Sequence, residues 1–274
     1  MLTFPLSKIN LGLYVTAKRP DGMHDLSTVF LPIPLKDNLE IVELDGTYTS
    51  DRFHLTGTKL PGGEGDDNLV MKTVRTVREK HGIPHVEIWL HKRIPTGAGL
   101  GGGSSDAAFA LKMLNEMFDL RICDENANEM LAELGADCPF FWKAKPAYAE
   151  GIGEILEPFD VPQIKDLHLA LIKPDIHVST REAFGGITPK APEMPLKEAL
   201  KLPVNQWQSH ISNDFERTVF PLHPEIAAIK QTLLDAGAVY AQMSGSGSSV
   251  FGFFKENPAE LLKNTFNDNF TFYL

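Results

Sequence analysis

The sequence predicts a mixed α+β fold in two lobes, on three observations. Strand-like alternation and helix-period apolar runs interleave along the chain. A length of 274 residues is enough for two closely packed lobes. A proline-rich stretch, Glu157-Pro158-Phe159-Asp160-Val161-Pro162, divides two halves that each carry a glycine-rich run. The expected lobes are residues 1–157 and 158–274.

In chain order, residues 9–15, 28–33 and 39–44 are rich in apolar, aromatic and β-branched side chains and predict strands. Asn68 is placed to cap a helix that Gly82 ends. Residues 86–90, Val-Glu-Ile-Trp-Leu, alternate as a half-buried strand, and Pro95 closes the segment. A glycine loop follows, then a helix with the apolar stripe Ala107, Ala108, Leu111, Leu114 and Phe118, and a second helix near residues 124–134. The second half predicts a strand at 167–172 and a helix with Pro224 at its first position and Gly237 just past its end. A strand at 250–254, a helix starting at Asn257-Pro258 and a closing strand at 270–273 complete the order. The proline- and lysine-containing residues 185–202 read as a mobile surface segment.

The glycine loop is the most informative segment. It reads Pro95-Thr96-Gly97-Ala98-Gly99-Leu100-Gly101-Gly102-Gly103-Ser104-Ser105, with five glycines in the seven residues from Gly97 to Gly103. Glycine tolerates positive φ and lacks Cβ, so successive backbone N–H groups can turn toward an anion and approach it closely. Ser104 and Ser105 are placed to cap the following helix, whose unpaired N–H groups and positive dipole end favour phosphate. No lysine follows the last glycine, so the loop is not of the P-loop type. Gly97, Gly99 and Gly102 formally satisfy G-x-G-x-x-G, but the helix runs into another helix rather than a parallel strand. The chain also has no His-Arg-Asp or Asp-Phe-Gly, which excludes the protein-kinase pattern. A flexible linker would lack the apolar helix directly behind the loop.

A second run, Met243-Ser244-Gly245-Ser246-Gly247-Ser248-Ser249, separates two strand-like segments. Taken alone it fits a hairpin turn as well as a loop that closes over a transferring phosphate. The net charge of −10 argues against nucleic acid or an anionic membrane as the main partner, so an anionic ligand must be held locally. Two cysteines are too few for a thiolate zinc site or a disulfide scaffold. No apolar run approaches the roughly 18 residues of a membrane span, and the N-terminus has no signal-peptide pattern. A cytoplasmic protein, monomeric or weakly dimeric, is expected.

Three ordered segments, Lys8-Ile9-Asn10-Leu11, the glycine loop and residues 244–249, resemble the three motifs of the GHMP small-molecule kinases. Closer markers are Arg19-Pro20-Asp21-Gly22-Met23-His24, Asp67-Asn68-Leu69-Val70, Leu134-Gly135-Ala136-Asp137-Cys138-Pro139-Phe140-Phe141 and Ala149-Glu150-Gly151-Ile152-Gly153-Glu154. They resemble the branch that phosphorylates the 2-hydroxyl of a cytidylyl polyol phosphate in non-mevalonate isoprenoid synthesis.

The resemblance implies a ribosomal-S5-like N-terminal lobe, a ferredoxin-like C-terminal lobe and a cleft between them. It also implies ATP with Mg2+, and no residue is assigned as a metal ligand. Asp137 matches the family's catalytic aspartate, which takes the proton of the attacking hydroxyl. Lys8 matches the catalytic lysine, a compact charge that polarises the hydroxyl and orients Asp137. Read from the residues alone, Asp137 could equally cap the next segment and Lys8 could be a solvated strand residue.

The same resemblance places residues 95–105 on the ATP phosphates and Asn68 and Lys92 near the adenine. Substrate recognition falls to Asn10, Met23, His24, Phe30, Thr180 and Phe184, with His24 on the cytosine edge and Phe184 stacked on its face. An aromatic residue commonly precedes this histidine in the family. Met23 stands there in this chain, and its thioether packs on a base more loosely. Other GHMP kinases, and a non-catalytic nucleotide sensor, are the alternatives.

Overall fold

A computed structural model describes residues 1–58 and 68–274. Its first strands are β1 (Leu2–Thr3), β2 (Leu6–Lys18), β3 (His24–Lys36), β4 (Asn38–Glu43) and β5 (Arg52–Gly57). Then come α1 (Leu69–His81), β6 (Val86–Lys92), α2 (Gly102–Met117), α3 (Asp124–Leu134), α4 (Cys138–Lys143), β7 (Ala147–Glu150), β8 (Ile155–Pro158) and β9 (His168–Lys173). The remainder is α5 (Thr180–Phe184), α6 (Leu196–Ala199), α7 (Val204–His210), α8 (Glu216–Leu222), α9 (Pro224–Asp235), β10 (Tyr240–Met243), β11 (Val250–Phe254), α10 (Ala259–Leu262) and β12 (Phe270–Tyr273). The chain forms two compact units, each assembled from separated stretches. One comprises Met1–Lys8, Pro32–Thr96 and Gly101–Lys145, the other Ile9–Leu31, Gly97–Leu100 and Pro146–Leu274.

In the first unit, β1-β4-β6-β5 form a sheet with β4 antiparallel and β5 parallel to β6. Val86, Ile88, Leu90 and Lys92 alternate to the buried side of β6. Helix α1 begins as expected, since Asn68 Oδ1 accepts from Val70 N at 2.8 Å. It buries Val70, Val74 and Val77 on one stripe and stops at Gly82, whose φ of 67° is left-handed. At its C-terminus Arg78 holds both oxygens of Asp51 at 2.6 and 2.7 Å. Helix α2 packs on α1 and α4, and the small Ala107, Ala108 and Ala110 let their backbones approach.

The start of α2 differs from the expectation. Ser104 and Ser105 do not cap it: the helix begins at Gly102 behind Gly101, which has a φ of 68° and no side chain to cap with. A left-handed entry that only glycine adopts without strain begins the helix before the serines, so they lie inside its first turn.

The second unit carries a sheet in the order β2-β3-β7-β8, in which Thr28, Val29 and Phe30 of β3 pair with β7. Its other sheet, β10-β11-β9-β12, is antiparallel throughout. Read from β9 through its helices to β10, β11, α10 and β12, this is the ferredoxin-like split arrangement that the resemblance implied. Pro224 stands at the first position of α9, and Ile226, Ile229 and Leu233 bury one face with Ile172, Val250 and Phe254.

Residues 185–202 do not form a mobile surface segment along their length. Leu196, Ala199 and Leu200 are buried, and a Cβ on Gly12 would lie 2.6 Å from Leu196 Cδ1. The prolines concealed a one-turn helix with a fully apolar inner side. Helices α4 to α8 are too short for periodicity to have announced them, and sequence reading also missed strands β5, β7 and β8.

Candidate active site

The first unit holds a lysine–carboxylate pair. Lys8, buried near the start of β2, brings Nζ to 3.3 Å from Asp137 Oδ2. The lysine stem needs the space left by a glycine, since a Cβ on Gly101 would lie 3.3 Å from Lys8 Cε and 2.8 Å from the Phe141 ring. Asp137 stands immediately before α4 but makes no capping hydrogen bond. Its carboxylate is about one-third exposed. It therefore serves neither as a helix cap nor as a fully solvated charge, and is free to accept a proton from a bound molecule while an ammonium orients it. Beside it, burial pushes the Cys138 thiol up to about 11, and the thiol shares a hydrogen bond with Ser104.

The loop entering α2 has positive φ at Gly97 (60°), Gly99 (72°) and Gly101 (68°). Within the first turn of α2, Ser105 N bonds Gly101 O at 2.9 Å, while Ser105 Oγ is buried without a partner. Pro95 is buried and Thr96 half-buried at the loop entry, and Ala98 and Leu100 are buried between the glycines. Gly102 and Gly103 are the first two residues of α2.

Lys92 is placed differently from the expectation of an adenine contact. Its ammonium is buried in the first unit, where it bonds Asp37 Oδ2 and, at 2.7 Å, Asp106 Oδ2. Asp37 Oδ1 accepts from Ile94 N at 2.8 Å and also from Arg93 N. Two ionised carboxylates on one buried ammonium would leave an excess negative charge. Burial pushes Asp106 up to about 8, Lys92 opposing and Asp37 adding to the effect. Sequence reading missed Asp37 and Asp106. The signal was there: Lys92 continues the buried register of β6, and Asp106 shares a helical stripe with the buried Ala110 and Met113. Asn68 spends its side-chain oxygen on α1, and Asp67 lies outside the described residues.

The second unit holds the other expected residues. Asn10, buried on β2, donates from Nδ2 to Thr28 Oγ1 at 2.9 Å, and its backbone N donates to Ser244 Oγ at 3.3 Å. Ser244 Oγ in turn donates to Gly99 O at 2.8 Å, and Ser249 N to Ala98 O at 3.3 Å. Residues 244–249 thus do form the β10–β11 hairpin connection, and at the same time they grip residues 97–100. His24 and Phe184 stack at 4.8 Å with 25° between their planes, and Phe184 meets Phe215 edge-on at 4.7 Å. Met23 is exposed in the turn before His24, held by its N–H to Asp21 Oδ1. Thr180 is exposed at the first position of α5, whereas Phe30 is buried at 2 % exposure in β3. Among the described residues no group of three metal-ligating side chains occurs, and no helix is long and apolar enough to cross a membrane.

The family model for the GHMP kinases N terminal domain matches residues 68–144, and that for the GHMP kinases C terminal matches residues 196–271. The chain is 53% identical over 254 residues to the 4-diphosphocytidyl-2-C-methyl-D-erythritol kinase of Bacteroides fragilis, covering 93% of this chain and 92% of the relative. To that of Parabacteroides distasonis it is 49% identical over 271 residues, covering 98% and 97%. The crystal structure of a 4-(cytidine 5'-diphospho)-2C-methyl-D-erythritol kinase superposes with a TM-score of 0.83 at 31% identity, over 100% of this chain and 98% of that one.

Proposed function

Because the chain belongs to the GHMP kinase family, we infer that it transfers the γ-phosphoryl group of ATP to the 2-hydroxyl of 4-diphosphocytidyl-2-C-methyl-D-erythritol, giving the 2-phosphate and ADP. It is a small-molecule kinase, and the relatives' names supply the acceptor. The reaction belongs to non-mevalonate isoprenoid precursor synthesis, and its small soluble reactants suit the cytoplasm.

The Lys8–Asp137 pair carries the chemical reading. A nucleotide sensor needs neither a base nor a charge to orient it. Asp137 accepts the proton of the acceptor hydroxyl as the new O–P bond forms and the bond to the leaving ADP oxygen breaks. Lys8 keeps Asp137 oriented and offsets negative charge on the transferring group. The N–H groups at the start of α2 receive phosphate oxygens, which the positive φ of the preceding glycines permits.

Mg2+ fits the same place, since Ser105 Oγ is buried and unpartnered in the first turn of α2. Ser105 and the phosphate oxygens would hold it, and when bound it neutralises charge on those oxygens. For recognition of a base, His24 is proposed to hydrogen-bond its edge and Phe184 to meet its ring, which requires the two side chains, stacked on each other at 4.8 Å, to part. Asn10, Thr180 and Met23 complete the proposed acceptor set. Phe30, being buried, acts by supporting the strand beneath it. Lys92 and Asn68 are proposed to shape the nucleotide side by holding α2 and α1 in place. We take residues 1–157 and 158–274 as the two functional lobes, with one family match falling in each.

The deciding experiment is ADP release from ATP and Mg2+ with the cytidylyl substrate, mevalonate, homoserine and galactose, in wild type and Asp137→Ala. Turnover with the first alone, lost in the variant, is expected. Turnover with a different alcohol overturns the acceptor, and ATP binding without any turnover overturns the enzyme.

A further inference from the structure

We propose that Asn213 is a positioning residue for ATP: its carboxamide sets the direction of the peptide N–H groups in residues 244–249. This rests on the kinase reading above and deepens it. Asn213 lies between α7 and α8 and is 1% exposed. Its Nδ2 donates to Met243 O and to Gly245 O, each at 2.8 Å, and its Oδ1 accepts from Phe215 N at 3.0 Å. All the hydrogen-bonding capacity of the amide that faces the loop is therefore engaged on two carbonyls of one short segment.

In the trans peptide units Ser244–Gly245 and Gly245–Ser246 the N–H points opposite to the C=O. Holding Gly245 O toward the buried Asn213 turns Ser246 N–H the other way. Ser244 O is likewise occupied by Gly247 N at 2.9 Å, which turns Gly245 N–H away from that bond. Among the described residues Gly245 N, Ser246 N and Ser248 N make no hydrogen bond, while Ser244 N and Ser249 N do. Where the carbonyls of Ser244 and Gly245 are tied down and the N–H groups of Gly245 and Ser246 are left over, the segment has the polarity of an anion receptor. It also lies directly on the first glycine loop, since a Cβ on Gly99 would be 2.0 Å from Ser244 O.

Asn213 reaches β2 as well. Leu13 N donates to Ser212 O at 2.9 Å and Asp214 N to Leu13 O at 2.8 Å, making a parallel bridge between Leu13 and Asn213. The neighbouring Asp214 accepts from Val15 N at 2.9 Å. The residue that orients the loop is thereby registered on the strand that carries Asn10. A group designed only to close the hairpin would have no need of this second attachment.

The test compares Asn213→Asp and the milder Asn213→Ser with Gln208→Ala. Gln208 tethers the same hairpin through Ala241 N at 3.0 Å, outside residues 244–249. In steady-state kinetics, and in thermal melts of each protein, the Asn213 variants are expected to raise the KM for ATP at least tenfold while leaving the acceptor KM within twofold. Gln208→Ala is expected to lower the melting temperature without moving either KM. An ATP KM within twofold of wild type in both Asn213 variants overturns the proposal, as does a parallel rise of both KM values in step with lost stability or in Gln208→Ala. Wild type that binds no ATP in titration calorimetry brings down the kinase reading itself, a result distinguishable from either.

Discussion

At the scale of single residues, the pairing of Lys8 with Asp137 decides between readings that the chain left open. A capping aspartate would turn its oxygen onto the N–H groups of α4, and a solvated lysine would reach water. Instead the two meet at 3.3 Å, with Lys8 buried. Asp137→Asn keeps the shape and removes the proton acceptor, so kcat should fall by roughly 10²–10⁴-fold with the affinity for ATP unchanged in titration calorimetry. A kcat within tenfold of wild type would exclude general-base work at this position. His24 belongs to the same scale. His24→Ala should raise the KM for the cytidylyl acceptor by tenfold or more while the KM for ATP stays put, and equal changes in both would remove the histidine from base recognition.

Elements explain why glycine is required where the two loops touch. Gly99 has a φ of 72°, and any side chain there would run into Ser244 O at 2.0 Å, a backbone atom that cannot swing aside. Gly99→Ala should cost stability by about 1–3 kcal/mol from the backbone strain alone. It should also weaken ATP binding, both measured by denaturation with and without nucleotide. Wild-type stability and affinity in this variant would mean that the loops separate freely. The glycine spacing made a loop of positive φ and close backbone approach legible in advance, because both are local properties of the chain. The helix start was not legible in the same way. Ser104 and Ser105 look like caps, and the left-handed Gly101 simply begins the helix earlier.

At the scale of the whole molecule, the Asp37–Lys92–Asp106 cluster shows how the first unit holds the start of α2. Removing the ammonium in Lys92→Met leaves the Asp37 carboxylate without its partner in the interior and should cost roughly 3–5 kcal/mol, read as a shift of the denaturation midpoint. A shift under about 1 kcal/mol would show that solvent reaches the cluster. The carboxyl of Asp106 is raised from 3.8 to about 8, so the folded protein holds its proton more tightly than the unfolded chain does. Its contribution to stability is complete below pH 4 and is lost as the pH rises toward 8. Lys92 is raised from 10.5, so its contribution persists until more alkaline pH. Asp106→Asn should therefore flatten the stability profile between about pH 4 and 8, and an unchanged slope would assign that pH dependence to other groups.

The sequence by itself determined the glycine-rich loop, the long strands and helices, the αβ order and the residues whose motif spacing resembles a known family. These depend on φ preferences, capping and periodicity, which act within a few residues. Only the tertiary structure decided which distant groups meet: Lys8 with Asp137, Lys92 with Asp37 and Asp106, His24 with Phe184, and Asn213 with the carbonyls of Met243 and Gly245. No local propensity encodes such pairings. They arise because burying the apolar faces brings the polar groups into contact, and a polar group removed from water must find its partner there.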